Sequence, residues 1–420
     1  MISLDDMVSR LGLGDKGSGF FAPLWSELEK ECTASAPWIS LDFMRRWWPD
    51  ELPPDLAARA SAVEKIVGAE PAAAFYANAL DYLIMRRNPP VDCKDLPLAE
   101  KLFGENAGVF QLMLVLGIAP RVVESFAARG IPERYARDTM RYLGGASIIF
   151  ASGHGGLPGF NMRQMYWTRY YLDGTLYRIG RLEYMLHTVP PWVPPIFRRR
   201  SDGELAVLLA DKAPIGKDMR NAPAGCEVIF TSSFRVRDNR AYGTPVDATG
   251  RAHIDREVSL DLAEWEPVVT PWEIVPSMHI PSGGGMTPER VKASLTEAVD
   301  FFPRYLGFAP RMFVCHSWIF NPAWEELLPE SNMVKFLHEL YMFSERGRSP
   351  GNEGLFFIFG RSDGDRSSYP ADNSMRRAFH ELFRSNRPAR GGAAFILTSD
   401  IEHFGTGWYR KHYTDLKHLG

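Results

Sequence analysis

A change of hydrophobic period near residue 173 constrains this chain more than any other feature. Upstream, apolar residues recur three and four apart, as on a helix face; downstream they alternate in short runs between turns. The two periods demand different layers, so the sequence predicts a helical domain over 1–172 and a sheet-containing domain over 173–420. A chain of 420 residues is long enough to build a core for each. In the first part, a helix over 56–69 is entered through Pro53-Pro54 with Asp55 as its N-cap. The next begins at Pro71 and buries one face through Phe75, Ala79, Tyr82 and Leu83. Further helices are predicted over 96–103, 109–116, 121–129, 132–142 and 160–171, the last stopped by Asp173-Gly174. The glycine-rich stretch 152–159 reads as a hinge, because no strand precedes it and no GK[ST] completes a phosphate loop.

In the second part, residues 175–186 read as one long strand or a bulged pair with Gly180 at the bulge. Strands are predicted over 205–209, 227–236, 258–262, 272–280, 311–319, 355–360 and 393–397, and helices over 288–302, 324–343 and 374–383. The expected class is α+β with an α/β C-terminal part: a helical N-terminal domain, then a mixed β-sheet with flanking helices.

Composition excludes more than it includes. A formal net charge of -3 gives no general attraction to nucleic acid, and Arg198-Arg199-Arg200 reads as a solvated loop. Cys32, Cys93, Cys226 and Cys315 are scattered with no CxxC pair, which argues against a disulfide framework or zinc knuckle and for a reducing compartment. The first residues carry acids where a secretory signal needs basic charge, and no unbroken apolar stretch reaches the roughly 18 residues of a membrane span. A cytoplasmic protein without a membrane or nucleic-acid partner is therefore expected. No metal is expected either: His187, His253, His338, His380, His403 and His412 stand isolated, and HExxH, GxSxG and Walker patterns are missing.

Three clusters carry chemistry. In the first, a strand ends near Ile280, and Ser282, Gly283, Gly284, Gly285 and Met286 lead to a helix capped by Thr287, with Pro288 at its first position. Glycines admit an anion to backbone amides, and a helix N-terminus adds free N–H donors, so the segment suits a pyrophosphate; it equally suits a tight strand-to-helix turn. His279 sits beside it as a cleft candidate. The second cluster is Cys315-His316-Ser317-Trp318 at a strand end, where α/β active sites gather. Adjacent strand residues face opposite ways, so Cys315 shares a face with Ser317, and His316 with Trp318. Cys315 reads as core or as a reactive thiol, and His316 as an acid–base group or a structural one. Third, Arg181 and Glu183 alternate against Leu182 and Tyr184; ordinary sheet patterning explains this, and so does a cleft carboxylate serving as base.

The stretches LYRIGRLEYML (176–186), HIPSGGGMTPERVKASLTEAVDFF (279–302) and FVCHSWIFNPAWEELLPESNMVKF (313–336), in this order and spacing, resemble a family of bacterial acyltransferase domain-containing proteins. Those proteins join a helical N-acyltransferase N-terminal domain to a GNAT-like C-terminal domain, and the resemblance covers most of 20–400. It implies that 282–287 binds the pyrophosphate of acetyl-CoA or another acyl-CoA, and that 314–319 diverges to open a cleft for the thioester. It further implies attack by an amine of a small molecule or peptide, with Glu183 or His316 as base, Cys315 or a tyrosine protonating the thiolate, and His279 and Trp318 lining the cleft. The chain departs from the GNAT pattern in one respect: its glycine turn lacks the leading Arg or Gln. That departure favours the alternative, a non-catalytic GNAT-like module binding a metabolite or partner. Acceptor, acyl length and oligomeric state are not specified by these residues.

Overall fold

The computed structural model describes residues 2–189, 193–223, 225–283, 285–343 and 352–419. The chain divides into two compact units, Met1–Arg178 with Pro281–Gly283, and Ile179–Ile280 with Gly284–Gly420. The division falls at Arg178/Ile179, inside a strand, a few residues beyond the change of period.

The first unit is helical. Its centre is the pair Pro71–Asp81 and Ala107–Leu116, in which every residue from Ala72 to Asp81 and from Gly108 to Leu116 is buried. The sequence predicts one buried face for the first of these; the structure wraps it completely, because five alanines let neighbouring helices approach on all sides. Phe110 stacks on Phe103 at 4.1 Å and on Tyr76 at 6.0 Å, and the Tyr76 hydroxyl donates to the Pro97 carbonyl. Each such ring buried contributes about 1.5–3 kcal/mol. The helix Pro54–Ala69 starts two residues earlier than expected: Pro53 is its N-cap, and Asp55 pairs with Arg59 one turn on. The helical run Glu100–Ala127 is long and apolar enough to span a membrane, contrary to the count of unbroken apolar residues, but 67% of its apolar window is buried in the protein, as befits a core helix. The helix Met165–Asp173 ends, as expected, on Gly174 in the left-handed region.

The second unit is built on a six-stranded mixed sheet. Its strands are β1 (Leu176–Ile179), β2 (Leu182–Thr188), β3 (Ile274–His279), β4 (Met312–Ser317), β5 (Tyr341–Phe343) and β6 (Gly392–Leu397), in the order β1-β2-β3-β4-β6-β5. β3 and β4 run parallel; β2/β3, β4/β6 and β5/β6 are antiparallel. A right-handed parallel connection needs a crossover, here the 19-residue helix α1 (Pro288–Leu306). Tyr184, Phe302 and Phe313 meet with centroids 5.1–6.2 Å apart, packing α1 on one face of the sheet. Between β2 and β3 lie two small three-stranded sheets around Phe197, Ala206, Leu208, Ala241, Leu260 and Trp265. Between β4 and β6 lies a helical layer around Trp324, Leu355, Phe359, Phe379 and Leu382.

Five expectations are corrected. Residues 176–186 form a hairpin, not one strand or a bulge: Gly180, at φ 61°, opens the two-residue turn between β1 and β2. Residues 355–360, expected as a strand, are the helix Leu355–Phe359 between two left-handed glycines, Gly354 and Gly360; a five-residue apolar run carries no period to tell the two apart. The helix expected over 324–343 is two short helices, Trp324–Leu327 and Asn332–His338, followed by β5. Ser331 caps the second helix and starts it anew beyond Pro329. Of the strand expected over 227–236, only Phe230–Thr231 and the start of Arg235–Arg237 are extended. The basic run is no free loop: Arg199 pairs with Asp202, and Arg200 with Glu266.

Candidate active site

Beyond β3 the backbone turns sharply. Gly283 and Gly285 hold φ 86° and 65°, values that L side chains avoid; Gly284 lies outside the described residues. A Cβ at either described glycine would meet nothing within 4 Å, so backbone conformation and not crowding demands glycine there. Ser282 packs within the helical unit, where Gly145 leaves room for its hydroxyl. Met286 is partly buried, and Thr287 caps α1 as predicted, its hydroxyl accepting from the Arg290 amide, with Pro288 next and Glu289 in the first turn. Arg181, in the β1–β2 turn and only 7% exposed, donates from Nε to the Gly285 carbonyl at 2.6 Å.

The ladder places the other candidates. Glu183 on β2 is the direct antiparallel partner of His279 on β3, so both side chains project from one face within cross-strand reach. On β3, Ser277 shares that face and is level with Val314 on β4; two residues on, His279 and His316 close the same row. Among the described residues, Ser277–Val314 is the bridged position between β3 and β4, each six residues long. Glu183 is 2% exposed, and His279 and His316 are partly buried. Burial, reinforced by the charges of His187 and His316, lowers the pKa of His279 to about 4 and leaves the imidazole neutral at pH 7. His187, read as isolated in the sequence, lies on the same face four rungs away, its own pKa lowered by burial. Two others are not isolated either: His253 contacts Asp247 at 3.0 Å and His338 contacts Glu325 at 3.5 Å. Among the described residues no three His, Cys, Asp or Glu side chains converge to hold a metal.

Two candidates sit elsewhere. Cys315 has the parity of Phe313 and of Met278 on β3, facing α1, 1% exposed, and burial pushes its thiol far above the ordinary range. The structure therefore separates Cys315 from Glu183, His279 and His316. Trp318 follows β4 in a turn capped by the Ser317 hydroxyl, and so leaves the strand alternation that would set it beside His316. Its indole packs on Gly354, Trp324 and Phe379 in the helical layer.

Sequence reasoning passed over Ser294. Its hydroxyl, 1% exposed on α1, donates to the Ile179 carbonyl, accepts from the Leu182 amide at 3.2 Å and meets the Tyr184 hydroxyl at 3.1 Å. The signal was a serine within the apolar stripe Val291, Leu295, Ala298.

The family model of the GNAT-like C-terminal domain matches residues 176–395. The chain is similar in fold to the crystal structure of an acyltransferase in complex with decanoyl-CoA and teicoplanin, at 21% identity and a TM-score of 0.59, over 94% of this chain and 100% of that one. An acyltransferase mutant in complex with octanoyl-CoA gives 21% and 0.58 over 94% and 99%, and an acyltransferase with CoA and 10C-teicoplanin 21% and 0.59 over 94% and 100%. No curated protein matches the chain.

Proposed function

This chain belongs to the family of the GNAT-like C-terminal domain, and on that premise we propose that it moves an acyl group from a CoA thioester to an amine of a small molecule or peptide. One observation carries the reading. The parallel strands β3 and β4 meet at Ser277–Val314, a glycine turn and a capped helix N-terminus follow β3, and Glu183, His279 and His316 share one face of these strands. Solved structures of the same two-part fold hold decanoyl-CoA, octanoyl-CoA or CoA, and two of them teicoplanin, which supports an acyl-CoA donor and a small-molecule or peptide acceptor. Four free thiols support a reducing, cytoplasmic setting.

In this reading the amides of Ser282 to Thr287, with the first turn of α1, receive the pyrophosphate, and the acyl-pantetheine arm enters between the ends of β3 and β4. The acceptor nitrogen attacks the thioester carbon, and Glu183 or His316 takes its proton. His279, neutral near pH 7, lines the cleft without adding charge. Backbone N–H groups receive the oxyanion; its collapse breaks the C–S bond and releases CoA, whose thiolate is protonated from solvent or by a nearby acid. Cys315, turned toward α1, takes no part, which leaves direct transfer in place of a route through an acyl-cysteine.

Native mass spectrometry of the purified protein, with and without added decanoyl-CoA, tests the reading. A complex with CoA or acyl-CoA, and an amine acylated on addition of acceptor, are expected. A chain that retains neither thioester nor CoA overturns the enzyme and points to a module that binds something else.

A further inference from the structure

We propose that Arg181 is the positioning residue of the CoA-binding turn, taking the place of the Arg or Gln that the glycine segment lacks; this deepens the acyltransferase reading and rests on it. Arg181 is separated from Gly285 by 104 residues, yet its Nε–H holds the Gly285 carbonyl at 2.6 Å. In a trans peptide the carbonyl and the following N–H point in opposite directions. Fixing the Gly285 oxygen toward Arg181 therefore turns the Met286 N–H away from the guanidinium. Gly285 itself sits at φ 65°, in a region that glycine enters without strain, so the bond from Arg181 selects one peptide orientation among those open to it.

The guanidinium is fixed in its turn. The backbone that carries it is held on both sides of the turn: the carbonyl of Ile179, two residues before Arg181, and the amide of Leu182, the next residue, are bonded to the Ser294 hydroxyl. Gly180 suits the turn by its φ of 61°, which side chains avoid; a Cβ there would only touch the Ser294 Cα, at 3.4 Å. Ser294 stands two turns inside α1, whose first turn follows the glycine segment. The path from α1 through Ser294, the hairpin turn, Arg181 and Gly285 back to α1 is closed. A cation 7% exposed is costly to place in a hairpin turn that a neutral residue could make. Beside a turn that receives a dianion, its charge and its hold on the peptide both favour the ligand.

The test compares wild type with Arg181→Met, which keeps an unbranched apolar stem and loses charge and donor, and Arg181→Lys, which keeps the charge. Affinity for CoA is measured by calorimetry, and transfer is measured with decanoyl-CoA and with decanoyl-pantetheine, which lacks the pyrophosphate. The Met variant is expected to weaken CoA binding by about tenfold or more, the loss of one charge-assisted hydrogen bond. KM for decanoyl-CoA should rise in step while kcat and all constants for decanoyl-pantetheine stay within about twofold; the Lys variant should fall between. Equal losses with both thioesters, or a Met variant that binds CoA as wild type does, overturn the role of Arg181 and leave the acyltransferase reading standing. Should the Met variant fail to fold, the same comparison on the Lys variant decides: a loss confined to decanoyl-CoA supports the role, and no loss overturns it. A wild-type protein that does not bind CoA overturns both.

Discussion

At the scale of single residues, chemistry depends on which face of the sheet a side chain takes. Glu183, His279 and His316 come from three strands, and parity aligns them. If His316 exchanges the acceptor's proton, His316→Ala lowers turnover with decanoyl-CoA by about 10²-fold, the range for general acid–base catalysis. A wild-type rate would return His316 to a structural role and assign the proton to Glu183, tested by Glu183→Gln. His279 adds a dependence on pH. Its folded-state pKa, about 4, lies below the ordinary 6.5. Between those values the unfolded chain binds a proton that the folded protein refuses, so stability falls as pH drops from about 6.5 to about 4. Each unit of difference is worth about 1.4 kcal/mol. Urea unfolding at pH 7 and 4.5 should show a smaller acid loss for His279→Gln than for wild type; equal losses would contradict a buried, neutral His279.

Elements are joined by few polar contacts, and these can be removed one at a time. Ser294 satisfies an amide and a carbonyl of the β1–β2 hairpin inside an apolar layer. Ser294→Ala leaves those groups buried and unpaired, and should cost about 1–3 kcal/mol in denaturant unfolding. An unchanged midpoint would mean that the hairpin finds other partners. The glycine turn makes the opposite kind of contribution: Gly283 and Gly285 are exposed and cramped by nothing. Gly285→Val should leave a folded protein weakened by about 1–3 kcal/mol of backbone strain, yet abolish stabilisation by CoA. For wild type, CoA at 100 times its Kd should add about 2.7 kcal/mol, seen as a rise in Tm. A valine variant that keeps the full rise would remove the turn from the binding site.

For the molecule as a whole, the two units should resist proteolysis unequally. The stretch His154–Gly156 is exposed, with both glycines in the left-handed region, and follows the helix Tyr142–Gly153. A nonspecific protease at low ratio should cut there before it cuts β3, α1 or β4, which carry the buried centre of the sheet. First cuts within 288–306, read by mass spectrometry of the fragments, would contradict that packing.

The change of period, the helix caps at Thr287 and Gly174, and the strands that became β3, β4 and β6 were legible in the sequence, because each depends on spacing or on a residue's own backbone preference. The glycine turn was legible for the same reason: positive φ selects its residue locally. Short apolar runs were not, since LFFIF at 355–359 satisfies a strand and a helix alike, and only packing around Trp324 and Phe379 chooses. Nor could spacing show that Glu183 stands opposite His279, that His187 lies within electrostatic reach, or that Cys315 turns to α1. Those relations join residues up to about a hundred positions apart through strand register, which is set by the fit of whole faces and not by any one residue. The same holds for Arg181, whose neighbours in sequence give no hint of Gly285; their bond exists only because Ser294 fastens the hairpin to the helix that follows the glycines.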